Sequence, residues 1–139
     1  MMTDKGEYLE FYTPDKSCTL KELTHQINCV AWLKYNHPEL LFWHTVNEGA
    51  KHINSALLDG QSGLLKGVSD FVILIGGGGY GYQFAAIELK RTNKSGKAKA
   101  SPVSKEQKDF LDKVRRRGGF AAVAYGYEEF KIAVAEMLK

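Results

Sequence analysis

The chain has 139 residues, 44% hydrophobic and 25% charged, with a formal net charge of +3. That length suits one domain, and at this size about two thirds of the surface is buried on folding. No run of about 18 apolar residues occurs, which argues against a membrane-spanning helix, and the polar start Met1-Met2-Thr3-Asp4-Lys5-Gly6-Glu7 lacks the apolar segment of a signal peptide. The expectation is a protein of the cytoplasm, that of the host cell if the origin is viral. Cys18 and Cys29 are too few for a disulfide framework or a zinc site and read as reduced thiols.

Residues 1–18 are polar with scattered aromatics and read as an arm outside the core, followed by a domain over 19–139. Thr19 to Asn36 predicts a helix: Leu20, Leu23, Ile27, Val30 and Ala31 follow the 3.6 period, Thr19-x-x-Glu22 forms a capping box, and Pro38 marks the stop. Leu40 to Val46 predicts a strand, and Asn47-Glu48-Gly49 turns out of it. A short helix is expected within Asn54 to Leu65. Two apolar runs, Phe71 to Ile75 and Tyr82 to Lys90, flank the glycines between Gly76 and Gly81 and predict a hairpin. Thr92 to Val103 reads as a basic loop. Ser104-x-x-Gln107 caps a helix that Gly118-Gly119 ends. Phe120 to Tyr125 reads as a buried strand, and Glu128 to Leu138 as a closing helix with Phe130, Ile132, Val134, Met137 and Leu138 inward. The order is that of an α/β fold, a small mixed sheet flanked by helices.

The hairpin carries the chemistry. Folded about Gly79, it sets Asp70 opposite Glu88, and directly opposed residues hold their Cβ atoms about 4.5–5.5 Å apart. Two carboxylates at that distance repel unless a cation lies between them. The strand period puts Lys90 on the face of Glu88 and turns Leu89 away. Two acids and a lysine at one sheet edge predict a metal-dependent phosphodiesterase site. The glycine run is no phosphate loop, because Tyr82-Gln83-Phe84 opens a strand where a nucleotide-binding loop needs Gly-Lys-Ser/Thr opening a helix. No nucleotide cofactor is expected. His25, His37, His44 and His52 have no metal-ligand spacing and receive no catalytic role.

At Gly67-Val-Ser-Asp70 and Glu88-Leu-Lys90 the chain resembles the PD-(D/E)xK nucleases, and more narrowly the VRR-NUC group of virus-type replication-repair nucleases, in its stand-alone viral form. Glu22 with Gln26, Asn47-Glu48-Gly49, Gln107, and Gly119 onward into Ala-Val-Ala-Tyr-Gly match the remaining motifs in order. Ser69 stands where the family usually has proline. The resemblance implies a restriction-endonuclease-like fold and a hard divalent cation, Mg²⁺ or Mn²⁺. Asp70, Glu88, the Leu89 carbonyl and Glu22 would be its ligands. Lys90 would act on the nucleophilic water or the transition state, and Gln107 would orient a water or a phosphate oxygen.

The implied function is a structure-selective DNA endonuclease cutting four-way junctions. Because such a junction needs two paired sites, a homodimer is implied, with its interface in the arm or near Trp32 and Trp43. Eleven of the 19 basic residues lie between Lys90 and Arg117, and Lys94, Lys97, Lys99, Arg115, Arg116 and Arg117 are the candidate backbone contacts. Cutting of flaps, linear duplex ends or RNA, or a non-catalytic nucleic-acid-binding module, are the alternatives.

Overall fold

The computed structural model describes residues 1–46, 53–77 and 79–139, with the backbone alone for residues 53–56. Six strands form one sheet: β1 (Met2–Asp4), β2 (Leu9–Phe11), β3 (Leu41–His44), β4 (Phe71–Leu74), β5 (Phe84–Lys90) and β6 (Phe120–Tyr125). Their order is β1-β2-β6-β5-β4-β3. The centre, β2-β6-β5, is parallel, and β1, β4 and β3 pair antiparallel with their neighbours. Four helices accompany the sheet: α1 (Glu22–Asn36), α2 (Ile53–Gln61), α3 (Lys105–Arg116) and α4 (Tyr127–Met137). Among the described residues no helix is long and apolar enough to cross a membrane.

The parallel strands β5 and β6 are buried along nearly their whole length, as continuous apolar runs with helices on both faces must be. Side chains alternate between the two faces. Ala85, Ile87, Leu89, Phe120, Ala122 and Ala124 join Cys29 and Leu33 of α1 and Phe130, Val134 and Met137 of α4. On the other face Ala86, Ala121, Val123 and Tyr125 meet Leu111 of α3. Gly119 enters β6 where an added Cβ would stand 2.3 Å from the Phe84 ring and 2.8 Å from Val114, so the α3–β6 junction has no room for a side chain.

Four expectations change. The first residues are not an arm outside the core. β1 and β2 form a hairpin that extends the sheet by pairing parallel to β6, and Tyr8 and Phe11 are buried. The three-residue strands are too short for a period-2 pattern to stand out. In α1 the inward stripe is His25, Cys29 and Leu33, while Leu20, Leu23 and Ile27 lie exposed. Apolar residues flank both sides of this helix, so periodicity alone cannot choose its face. In α4, Ile132 is also exposed.

The capping box at Thr19 is absent too. α1 starts at Glu22 with Lys21 as an N-cap that makes no side-chain bond. Its entry is held instead by Arg91, whose guanidinium donates to the Thr19 carbonyl at 2.9 Å and the Leu20 carbonyl at 3.1 Å. By contrast, the box Ser104–Gln107 is complete at α3.

His25 links α1 to the entry of α4. Gly126 precedes α4 and has no side chain to cap it. The first helical N–H, of Tyr127, therefore donates to His25 Nδ1 at 3.0 Å, across from α1. Burial lowers the pKa of this imidazole and keeps it neutral. Gly126 has φ +94°, and a Cβ there would meet Thr92 Oγ1 at 2.5 Å and His25 Cε1 at 3.3 Å. Gly126→Ala therefore combines a left-handed backbone cost with a displaced cap. Urea unfolding should show a loss of about 1–3 kcal/mol, and wild-type stability in the variant would remove this role for the glycine.

Candidate active site

The register of β4 on β5 pairs Phe71 with Ile87. One step further, Asp70 stands opposite Glu88, as the hairpin reading requires. The Asp70 N–H donates to Glu88 Oε2 at 3.3 Å, and the Leu89 N–H donates to Asp70 Oδ2 at 2.7 Å. In an extended strand a residue's N–H and C=O point to the same neighbour, so the Leu89 carbonyl also faces the Asp70 side. Asp70, Glu88 and Lys90 are 6%, 3% and 3% exposed. Such burial of three ionisable groups is costly unless they are paired.

Gln107 does much of the pairing. Its amide Nε2 donates to Glu88 Oε1 at 2.7 Å, and its Oε1 accepts from Lys90 Nζ at 3.3 Å and from the Ser104 N–H at 2.9 Å. The helix cap and the site are thus one network, because the same amide serves both. Lys90 Nζ also donates to Ser101 Oγ at 3.2 Å and to the Pro102 carbonyl at 3.3 Å, and lies 3.9 Å from Glu88 Oε1.

Gly67 explains how α3 comes so close. It has φ +82°, and a Cβ there would overlap the Glu106 carbonyl group and meet the Gln107 nitrogen at 2.9 Å. The glycine of Gly67-Val-Ser-Asp70 lets the chain pass against the first turn of α3 and bring Gln107 to Glu88.

These groups open on a cavity of about 360 Å³ that Glu22, Gln26, His44, Thr45 and Ser101 also line. Glu22 reaches it because Arg91 fixes the start of α1. His44, Thr45 and Ser101 carry no motif. His44 Nδ1 lies 3.1 Å from the Asp70 carbonyl oxygen and must donate to it, and the Thr45 N–H donates to the same oxygen at 2.8 Å. What brings His44 here is its pairing with Phe71 across β3–β4. Asn47, Glu48, Gly49 and His52 lie outside the described residues.

Among the described residues no set of three His, Cys, Asp or Glu side chains is grouped as a metal site. Asp70 and Glu88 form a pair, with Glu22 lining the same cavity. Two carboxylates with a backbone carbonyl nearby make an all-oxygen donor set. A hard cation that keeps several of its waters suits such a set.

The expected nucleic-acid contacts separate in space. Lys97 and Lys99 are exposed on the loop after β5. Lys94 is already engaged, 2.9 Å from Glu10 Oε2 and over the rings of Tyr12 and Tyr125. Arg115, Arg116 and Arg117 lie at the far end of α3 from Gln107. Arg115 grips both Asp4 oxygens at 2.7 Å, Arg116 pairs with Asp112, and Arg117 donates to the Lys113 carbonyl.

Burial first, and Asp70 beside it, push Glu88 up to about 9, against the pull of Lys90. Burial also raises Asp70, and burial and then Asp70 raise Glu22. Without a cation the folded protein thus keeps a proton on Glu88 that the unfolded chain releases near 4.5. The native state binds more protons across that window, so stability falls as pH rises through it. The melting temperature of cation-free protein should fall from pH 5 towards pH 9, and Glu88→Gln should flatten the decline. An equal slope in the variant would put the proton elsewhere.

The VRR-NUC domain profile matches residues 20–128. A solved structure described as a VRR_NUC domain protein superposes with a TM-score of 0.63 at 21% identity, covering 85% of this chain and 88% of that one. Comparison with the curated proteins finds no match. With residues 20–128 matched in sequence and the same fold in a solved VRR_NUC domain protein, this chain belongs to the VRR-NUC family.

Proposed function

We propose that this protein is a divalent-metal-dependent DNA endonuclease that cuts four-way junctions as a homodimer. One observation carries the catalytic part: Asp70 and Glu88 are opposed across the β4–β5 register and tied through Gln107 to the buried Lys90. Asp70, Glu88 and the Leu89 carbonyl would hold Mg²⁺ or Mn²⁺, with Glu22 joining directly or through water. When bound, such a cation supplies Lewis acidity to the scissile phosphate and lowers the pKa of a water.

The chain's own residues do the rest. Gln107 holds Glu88 in one orientation and leaves its second oxygen, Oε2, towards Asp70. Lys90 is fixed by three acceptors and presents a positive charge near the carboxylates, where negative charge would develop on the phosphate. Each group is pre-oriented before substrate arrives, so little reorganisation is needed at the moment of reaction.

The homodimer is supported by exposed apolar side chains on α1 and at the sheet edge, two of which line the cavity. Leu23 and Ile27 stand on the outer side of α1, Leu41 and Trp43 on the edge strand β3, and Val46 follows them. Leu23 and Val46 line the cavity itself. A contact there would set two sites side by side. Trp32 contributes less to such a surface, since it packs edge-on against Phe130 and His37.

The test is cleavage of an end-labelled four-way junction and a matched linear duplex with Mg²⁺ or Mn²⁺. Symmetric nicks at the branch are expected, and Lys90→Ala should lower turnover by about 100-fold or more. Equal cutting of both substrates would retain the nuclease and discard the junction preference. Binding without metal-dependent cleavage would indicate a non-catalytic module. Sedimentation should give a dimer at micromolar concentration, which Trp43→Glu weakens; a wild-type monomer would refute the paired-site arrangement.

A further inference from the structure

A second cleft lies on the same face of the sheet, with a volume of about 350 Å³. It shares Ser101 with the catalytic cavity, and Pro102, whose carbonyl accepts from Lys90, forms part of its wall. The two clefts therefore meet at the segment that holds the catalytic lysine.

The second cleft is basic. Lys5, Lys94 and Lys108 line it against one carboxylate, Glu10. Glu10 is buried and already paired with Lys94 at 2.9 Å. Among the described residues Lys5 and Lys108 have no carboxylate partner. Tyr8 and Tyr125 complete the lining. Burial raises the pKa of both phenols, so both remain hydrogen-bond donors. Donors with two unneutralised ammonium groups suit the anionic oxygens of a phosphate.

Lys5, Tyr8 and Glu10 come from the β1–β2 hairpin, which precedes the residues matched by the family profile. Arg115 fixes the turn of that hairpin, donating to both Asp4 oxygens at 2.7 Å and to the Gly6 carbonyl at 2.9 Å. This bidentate pair holds the Asp4 carboxyl well below its ordinary range. Arg115 thus positions Lys5 over the cleft.

We propose that this cleft binds an internal phosphodiester of the strand being cut, next to the scissile one, through Lys5 and Lys108, with Tyr8 and Tyr125 as further donors. The inference rests on the nuclease reading. It assigns the N-terminal hairpin a substrate-binding role and places the nucleic-acid contact at Lys5 and Lys108.

The test measures DNA binding against salt in a Glu88→Gln background, where no strand is cut. Each lost phosphate contact reduces the slope of log affinity against log salt by about 0.9 on duplex DNA. Lys5→Gln with Lys108→Gln should lower it by about 1.8, whereas Lys34→Gln, which lines neither cleft, should leave it unchanged. The same drop is expected on closed circular duplex, which has no ends. A drop confined to linear duplex bearing a 5′-phosphate would overturn the internal assignment in favour of a terminal phosphate. An unchanged slope, with the wild type still binding and cutting DNA, would overturn the cleft alone. A wild type that neither binds nor cuts DNA would overturn the nuclease reading with it.

Discussion

The arrangement depends on the burial of opposed carboxylates at the end of the β4–β5 pairing. When both are ionised Asp70 and Glu88 repel each other, and their removal from water raises both pKa values. The surrounding structure offsets this cost with donors: the Leu89 N–H on Asp70, the Gln107 amide on Glu88, and Lys90 beside them. Those donors come from the strand itself and from the helix after it. A one-residue slip of register would turn Glu88 and Lys90 to the opposite face. The apolar residues that alternate with them, Ile87 and Leu89, are fully buried among α1 and α4 and resist such a slip.

Two backbone devices bring the helices to this edge. Gly67 lets the segment before Asp70 lie against the first turn of α3, and the capping amide of Gln107 reaches Glu88. Arg91 reaches out of the sheet to the carbonyls before α1, so Glu22 faces the cavity. Lys90 and Arg91 are neighbours in sequence yet act in opposite directions, one inward on the carboxylates and one outward on a helix entry. That division follows from the alternation of side chains along an extended chain.

Basic residues in this chain divide by what already holds them. Arg115 stabilises the N-terminal hairpin, and Lys94 spans Glu10 and two tyrosine rings. A charge committed to an internal partner contributes less to a polyanion than one facing water. Lys5 and Lys108 are drawn from distant parts of the chain to one cleft, which a count of charges along the sequence cannot reveal.

Much of the fold was legible in the residues. Hairpin symmetry about Gly79 set Asp70 against Glu88, because antiparallel pairing leaves no freedom once the turn centre is known. The Ser104–Gln107 capping box marked α3, because its hydrogen bonds lie within one turn. The buried face of α1 was not legible: its apolar residues surround the helix, and only the docking of His25 under Gly126 and of Cys29 and Leu33 in the core selects a side. The β1–β2 hairpin was hidden for a related reason, since its short strands acquire their order from β6. The sequence by itself determined the pairs and caps whose partners are local or related by a single turn. Tertiary structure alone decided the union of Gln107 with Glu88 and Lys90, the turning of Glu22 to the cavity and the convergence of Lys5 with Lys108, because each depends on elements packed from far along the chain.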